Sequence, residues 1–285
     1  MQSLNFDTII YPANLTGVVA ASIFKSEGQK VLLLNRYGFF GGTITESLNL
    51  FQKKIDDSSN GQITHKILDR INEYKDGVLY EGQNHLIFNP EVIKYVLQKF
   101  AEENQIALLF HINPYKIEFK DGLINLSVIG REGTIDLSCK KLFDFSTEFT
   151  FVPLLEKFSR TFKTGFVNFI SLPVDDEDVF QNVYLKKKLR DNRWWISIKN
   201  ESDNVSEVER FAQIAFDIID EKLRAKKSRI QIVPAQSNLI FEFMKSEKDI
   251  EGVYFITNFI NSFSHDEELL IAKQIERSLT DVRNF

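Results

Sequence analysis

The sequence predicts an α/β protein: a mainly parallel sheet interrupted by an antiparallel subdomain. Apolar, β-rich runs at Thr8 to Tyr11 and Lys30 to Leu34 flank a helical stretch from Gly17 to Lys25. A strand, a helix and a strand within about thirty residues form a βαβ unit with a right-handed crossover. Alternating runs between residues 116 and 137 indicate antiparallel strands, and a long helix is predicted at Val205 to Lys226.

In the first half of the chain, a helix is predicted at Ile63 to Tyr74, after the polar break at residues 56–61. Asn89 and Pro90 open the next helix, which ends at Glu103, because asparagine caps helix N-termini and proline fits the first helical position. The predicted strands that follow are Ile106 to His111, Lys116 to Phe119, Ile124 to Ile129, Thr134 to Leu137 and Lys141 to Phe145.

In the second half, the predicted elements are strands at Phe162 to Leu172 and Tyr184 to Lys199, the long helix, a strand at Gly252 to Thr257 and a helix at Asp266 to Leu279. We therefore predict three parts: residues 1–150 as a mainly parallel α/β domain with a β meander, 151–230 as an antiparallel subdomain with the long helix, and 231–285 as a return to the first domain.

Composition and charge exclude several classes of function. With 35 basic and 40 acidic residues, the net charge of -5 provides no overall positive field for a nucleic acid backbone. The apolar runs fall short of the ~20 residues of a membrane span. No secretory leader is recognisable at the start, and the single Cys139 cannot form an internal disulfide, so we expect a cytoplasmic protein.

Other chemistry has little support in the sequence. The four histidines lack helical metal-ligand spacing, so no metal site is expected. Cys139 precedes two lysines, which would suit a reactive thiol, but a buried strand cysteine is the favoured interpretation. The basic stretch from Lys186 to Arg193, followed by Trp194 and Trp195, suits single-strand binding by charge and stacking. A basic hairpin that leads into a core strand explains it equally well.

The segment from Phe6 to Phe51, with its Tyr37-Gly38-Phe39-Phe40-Gly41-Gly42 loop, resembles the N-terminus of FAD-dependent oxidoreductases of the glutathione-reductase-like fold. The resemblance implies a Rossmann-like FAD/NAD(P)-binding sheet with an inserted substrate-type subdomain, and FAD as the cofactor. The cofactor-binding positions that it implies are Asn14, Leu15, Thr16, Gly17, Asn35, Arg36, Gly41, Gly42 and Thr43.

The phosphate-binding turn departs from the pattern of this family. In the family a G-x-G-x-x-G turn carries the diphosphate, and here Pro12 and Asn14 stand at the first two glycine positions while Gly17 keeps the third. Proline lacks an N–H donor, and asparagine adds bulk where bare backbone is expected. The acidic residue for the ribose is replaced by Asn35, 21 residues (35 − 14) after Asn14.

Two later positions also depart from the family. Phe145 and Thr147 stand where the family's returning strand carries small residues, so bulk is expected in cofactor space. The C-terminal helix is expected to point at the flavin, but Asp266, Glu267 and Glu268 would offset the positive field at its start. The Gly41-Gly42-Thr43 loop is intact and is where a ligand is expected first.

The sequence therefore predicts a degenerate family member with weak or absent FAD binding. We expect a non-catalytic partner of an intact flavoprotein, a self-associating protein or a small-ligand binder. An active FAD-dependent oxidoreductase with an atypical pocket, completed by another chain, is the alternative, and a flavin-free isomerase or lyase is a third. No residue is singled out as catalytic.

Overall fold

The computed structural model describes residues 4–56, 61–156, 158–181, 183–200, 202–244 and 250–281. The strands are β1 (Leu4–Asn5), β2 (Thr8–Tyr11), β3 (Val31–Leu34), β4 (Phe51–Lys53), β5 (Val78–Glu81), β6 (His85–Phe88), β7 (Ala107–Leu109), β8 (Asn113–Lys120), β9 (Leu123–Gly130), β10 (Gly133–Cys139), β11 (Lys141–Asp144), β12 (Ser159–Ser171), β13 (Leu185–Lys188), β14 (Trp194–Asn200), β15 (Ile230–Ile232), β16 (Asn238–Met244) and β17 (Val253–Phe255).

The α-helices are α1 (Leu15–Ser26), α2 (Gly42–Glu46), α3 (Gln62–Asn72), α4 (Pro90–Glu103), α5 (Val205–Ala225) and α6 (Glu268–Asp281). Short 3₁₀ helices cover Val152–Leu154, Glu177–Phe180 and Ile256–Asn258. Most of the polar break predicted at residues 56–61 lies outside the described residues. Within the described ranges, no helix has both the length and the apolar character to cross a membrane.

The central sheet is parallel, in the order β17-β11-β2-β3-β7, which confirms the predicted fold class. Strands β2 and β3 are buried along their whole length, as expected when both faces of a parallel sheet are covered. Helix α1 links them as the predicted βαβ unit and packs against α6. All five carboxyl ends meet at one edge of the sheet, where ligands of such folds bind.

The predicted meander is confirmed as β8, β9 and β10, paired antiparallel, with β1 parallel to β10. Strands β4, β6 and β5 form a small antiparallel sheet that the sequence analysis did not predict. Each of these strands is only three or four residues long, which is too short for a sustained period-two pattern.

The second antiparallel sheet has the order β13-β14-β12, with β15 and β16 also paired to β12. The single strand predicted at Tyr184 to Lys199 is wrong, because the chain turns between β13 and β14. Asn192 takes a left-handed φ of 65°, which asparagine tolerates, and Leu189 N–H donates to the Arg193 carbonyl. The division of the chain into domains stays a prediction; the pairing of β16 carries this sheet to Met244.

Candidate functional site

The turn between β2 and α1 is closed by side chains of the protein itself. Asn14 caps α1: its Oδ1 accepts a 2.7 Å hydrogen bond from Gly17 N–H, and its Nδ2 donates to the Phe145 carbonyl at 3.1 Å. A Cβ on Gly17 would lie 2.2 Å from the Pro12 carbonyl oxygen, so only glycine fits this position. The N–H of Gly17, in the first turn of α1, already has its acceptor in Asn14.

The Gly41-Gly42-Thr43 loop packs directly on this turn. Gly41 has a φ of 115° and donates its N–H to the Ala13 carbonyl at 2.9 Å. A Cβ on Gly42 would lie 2.5 Å from the Cβ of Asn14. The glycines therefore allow the loop to approach the turn, and the Asn14 side chain fills the space between them.

Asn35 directly follows β3, and its side chain is fully buried. Its Oδ1 accepts from Ala13 N–H at 3.3 Å, and its Nδ2 donates to the Phe39 carbonyl at 2.8 Å and to Glu46 Oε1 at 3.0 Å. The amide thus holds the turn, the loop and α2 together. Its neighbour Arg36 is exposed.

The segment after β11 is occupied by bulky and polar packing. Phe145 is 1% exposed, and its ring lies 5.8 Å from that of Phe259. Thr147 donates to the Leu239 carbonyl. Burial raises the pKa of Asp144 to about 6, while hydrogen bonds from Ser146 and from the Phe151 N–H favour its charged form. Asp144 therefore organises the loop rather than facing a ligand.

Glu268 begins α6 and reaches back to the start of α1. The Thr43 hydroxyl donates to its Oε2 at 2.8 Å, and a hydrogen bond from the Leu15 backbone N–H also favours the ionised form. Burial nevertheless raises the pKa of Glu268 to about 7. The prediction of three carboxylates in the first turn is corrected: the helix begins at Glu268, and Asp266 and Glu267 precede it, paired with His85 and Lys53 respectively.

These elements surround a cavity of about 220 Å³ at the carboxyl edge of the parallel sheet. Of the nine predicted positions, Asn14, Thr16, Arg36, Gly42 and Thr43 line the cavity. The remaining four, Leu15, Gly17, Asn35 and Gly41, are buried in the surrounding structure. Five of the nine predicted positions thus lie at this cavity, and their role in binding a cofactor stays a prediction.

The cavity carries an excess of carboxylates. Burial raises the pKa of Glu46 to about 7, although its two oxygens accept from the Asn35 and Gln236 amides. Burial also raises the pKa of Glu148, opposed by Arg160 and Arg36. Within the described ranges, Glu46, Glu148 and Glu268 have no basic nitrogen within the 4.0 Å of an ion pair.

Three polar side chains of the lining have atoms without a hydrogen-bond partner among the described residues. They are the Thr16 hydroxyl, both amide atoms of Asn238 and Glu268 Oε1. Thr16 and Asn238 are each 1% exposed and Glu268 is 6% exposed. Buried polar atoms are nearly always paired, so such a cluster around one cavity indicates a place for a polar ligand or ordered water.

Glu46, Glu148 and Asn238 belong to the lining but were not predicted from the sequence. Glu46 could have been predicted, because it lies one helical turn after the Gly41-Gly42-Thr43 loop. Asn238 lies on β16, which reaches the site only through its pairing with β12. No pattern in the linear sequence indicates that approach.

The burial of Cys139, Trp194 and Trp195 argues against a reactive thiol and against a base-stacking surface. Burial raises the pKa of Cys139 to about 12, which confirms a packed strand thiol rather than a nucleophile. Trp194 and Trp195 are 6% and 1% exposed, so they are core residues and not a stacking surface. Across the described segments, no group of three or more His, Cys, Asp or Glu is placed to hold a metal ion.

Comparison with known proteins relates the first half of the chain to a family of flavoproteins. The sequence profile of FAD dependent oxidoreductases matches residues 7–148. None of the curated proteins matches the chain significantly by sequence.

Solved structures match over most of the chain. The p-nitrophenol 4-monooxygenase PnpA from Pseudomonas putida has a TM-score of 0.57 at 11% identity, covering 90% of this chain and 72% of its own. Aklavinone-11 hydroxylase, solved with FAD and aklavinone, has a TM-score of 0.61 at 13% identity. The match covers 99% of this chain and 62% of the hydroxylase, so this chain spans less than two thirds of that protein. A geranylgeranyl bacteriochlorophyll reductase-like protein from Thermoplasma acidophilum has a TM-score of 0.58 at 10% identity, and the match covers 98% of this chain and 78% of its own. At these identities the likeness establishes the Rossmann-like fold.

Proposed function

Because this chain belongs to the FAD-dependent oxidoreductase family, we propose that it is a non-catalytic member that binds a small molecule, and not FAD in the family's manner. The ligand occupies the polar cavity at the carboxyl edge of the parallel sheet. A role as partner subunit of an intact flavoprotein, or of a second copy of this chain, is compatible with the same site.

The observation that carries this proposal is the position of the Glu268 carboxylate. In this fold the N-terminus of the first helix offers its N–H groups and its partial positive charge to a diphosphate. Here Glu268 lies beside the Leu15 amide and accepts from the Thr43 hydroxyl, so a carboxylate of the protein stands at that place. A diphosphate brought to the same point would have to compete with this carboxyl group for the same N–H donor and would further disfavour its ionised form.

The rest of the site does not fit FAD either. Pro12 supplies no N–H, and Asn14 fills the space beside Gly42. Both the oxygen and the nitrogen of the Asn35 amide already make hydrogen bonds within the protein. The cavity of about 220 Å³ is smaller than the roughly 300–1,000 Å³ that drug-sized ligands occupy, and FAD is larger than such ligands.

An active FAD-dependent oxidoreductase with an atypical pocket is the second candidate. Family membership favours it, and so does the glycine loop, since Gly42 and Thr43 both line the cavity. In this case another chain would complete the pocket. A cytoplasmic location belongs to either proposal and rests on the single buried thiol of Cys139.

The test is flavin content followed by FAD titration. We expect a colourless purified protein whose unfolding temperature does not rise with added FAD. A ligand present at 100 times its Kd would stabilise the folded state by about 2.7 kcal/mol, which a thermal shift resolves easily. A flavin absorbance band that is released on denaturation would overturn the proposal in favour of the enzyme. Recovery of an intact flavoprotein with the tagged chain would instead identify a partner subunit.

A further inference from the structure

The unpartnered atoms of the cavity are mainly hydrogen-bond acceptors and include one charged group. Glu268 Oε1 has no partner in the described structure, and neither do the Thr16 hydroxyl and the Asn238 amide, which line the same cavity. Asn238 offers both a donor and an acceptor, whereas Glu268 in its ionised form only accepts. A ligand that satisfies this set needs several donors at one end and a small polar group at the other.

The charges around the cavity favour a cationic ligand over an anionic one. Glu46, Glu148 and Glu268 contribute three carboxylates, none in an ion pair within the described ranges. Of the two guanidinium groups, Arg160 already donates to the Glu148 and Phe149 carbonyls, and Arg36 is exposed. Both guanidinium groups oppose the rise in the pKa of Glu148, and Arg36 opposes it at Glu46, whereas Glu268 has no basic group within ion-pair distance among the described residues.

We propose that this cavity binds a small organic amine, with its ammonium group on Glu268 Oε1 and a hydroxyl or amide group on Asn238. An ammonium carries three donors and no acceptor, which matches a buried carboxylate with a free oxygen. Charge-assisted hydrogen bonds of this kind are about twice as strong as neutral ones. The inference rests on the proposed function, because FAD in the family's manner would require the same space.

The binding test uses three probes of equal length that differ in charge: 3-aminopropanol, 1,3-propanediol and 3-hydroxypropanoate. Titration calorimetry and thermal shift are carried out on the full chain at pH 8. The amine is expected to bind at least tenfold more tightly than the diol, and the anion more weakly than the diol. Equal binding of the amine and the diol, tighter binding of the anion, or no binding of the amine would each overturn the inference.

Two substitutions test the assigned contacts. Glu268→Gln removes the charge with little change of shape, and the amine should then bind at least tenfold more weakly while the diol is unaffected. Asn238→Leu removes the amide and should weaken the amine and the diol alike, by about fivefold. Glu73→Gln, at an exposed position outside the cavity, is the matched control and should change nothing. Unchanged amine affinity in folded Glu268→Gln would refute the contact.

The pH dependence is an independent readout. Because the free protein has a Glu268 pKa of about 7, the carboxylate is mostly protonated at pH 6 and mostly ionised at pH 8, so amine affinity should rise by up to about tenfold between them. Glu268→Gln should lose most of this dependence. The other titratable and charged groups that face the cavity are Tyr11, Arg36, Glu46, Glu148, Arg160 and His265.

FAD titration of the same preparation separates the two proposals. If FAD binds tightly, the proposed function fails, whatever the amine does. If FAD does not bind and the amine shows no preference over the diol, only the inference about the ligand class fails. Amine binding without FAD binding supports both.

Discussion

Replacing Glu268 with glutamine should stabilise the unliganded protein at alkaline pH. The folded-state pKa of Glu268 is raised to about 7 from its ordinary 4.5, chiefly by burial. The folded state therefore binds a proton more tightly than the unfolded chain, and stability falls as the pH rises from about 4.5 to about 7. At about 1.4 kcal/mol per pKa unit, the difference between 7 and 4.5 amounts to about 3 kcal/mol of destabilisation above pH 7.

Glutamine keeps an acceptor for the Thr43 hydroxyl and removes this ionisation. We expect Glu268→Gln to unfold at a higher temperature than the natural protein at pH 8, by about 6 °C at roughly 2 °C per kcal/mol, with the difference vanishing near pH 4.5. Thermal unfolding followed by circular dichroism between pH 4.5 and 8 measures it, with Glu73→Gln as the control. A variant that is less stable at pH 8, or a difference that does not change with pH, would refute the electrostatic account of this site.

The remaining predictions concern the turn and the core. Gly17→Ala places a Cβ 2.2 Å from the Pro12 carbonyl oxygen, so urea unfolding should show a loss of about 3 kcal/mol; a neutral effect would mean that the turn relaxes freely. Asn14→Ala removes the cap on Gly17 N–H and the bond to the Phe145 carbonyl, and should cost about 2 kcal/mol in the same assay. Cys139, with its pKa raised to about 12, should resist iodoacetamide at pH 8 in the native state and react on denaturation, as followed by mass spectrometry; rapid native labelling would contradict its burial.

The position of Glu268 distinguishes this site from a phosphate-binding helix terminus. Helix termini that bind phosphate leave their N–H groups open to an external anion. In this protein, α6 brings its own carboxylate to the start of α1, and the Asn14 side chain accepts from the Gly17 amide. The same fold therefore presents a cavity in which the start of α1 faces a carboxyl group of the protein.

The sequence by itself determined the βαβ unit, the meander and the closing helix. Apolar runs of the right length and the cap at Asn89 are local signals, and local signals are readable from residues that are neighbours in the chain. It also singled out the altered glycine turn and the Gly41-Gly42 loop, which lie against each other in the fold.

Only the tertiary structure decided what fills that site. Glu268 meets Thr43 across 225 positions of the chain, and Asn238 reaches the cavity because β16 pairs with β12. Neither contact leaves a periodic pattern, since each depends on how separate elements pack. Burial then raises the pKa of Glu46 and of Glu268 to about 7, because the low polarity of the packed interior disfavours charge that water would stabilise.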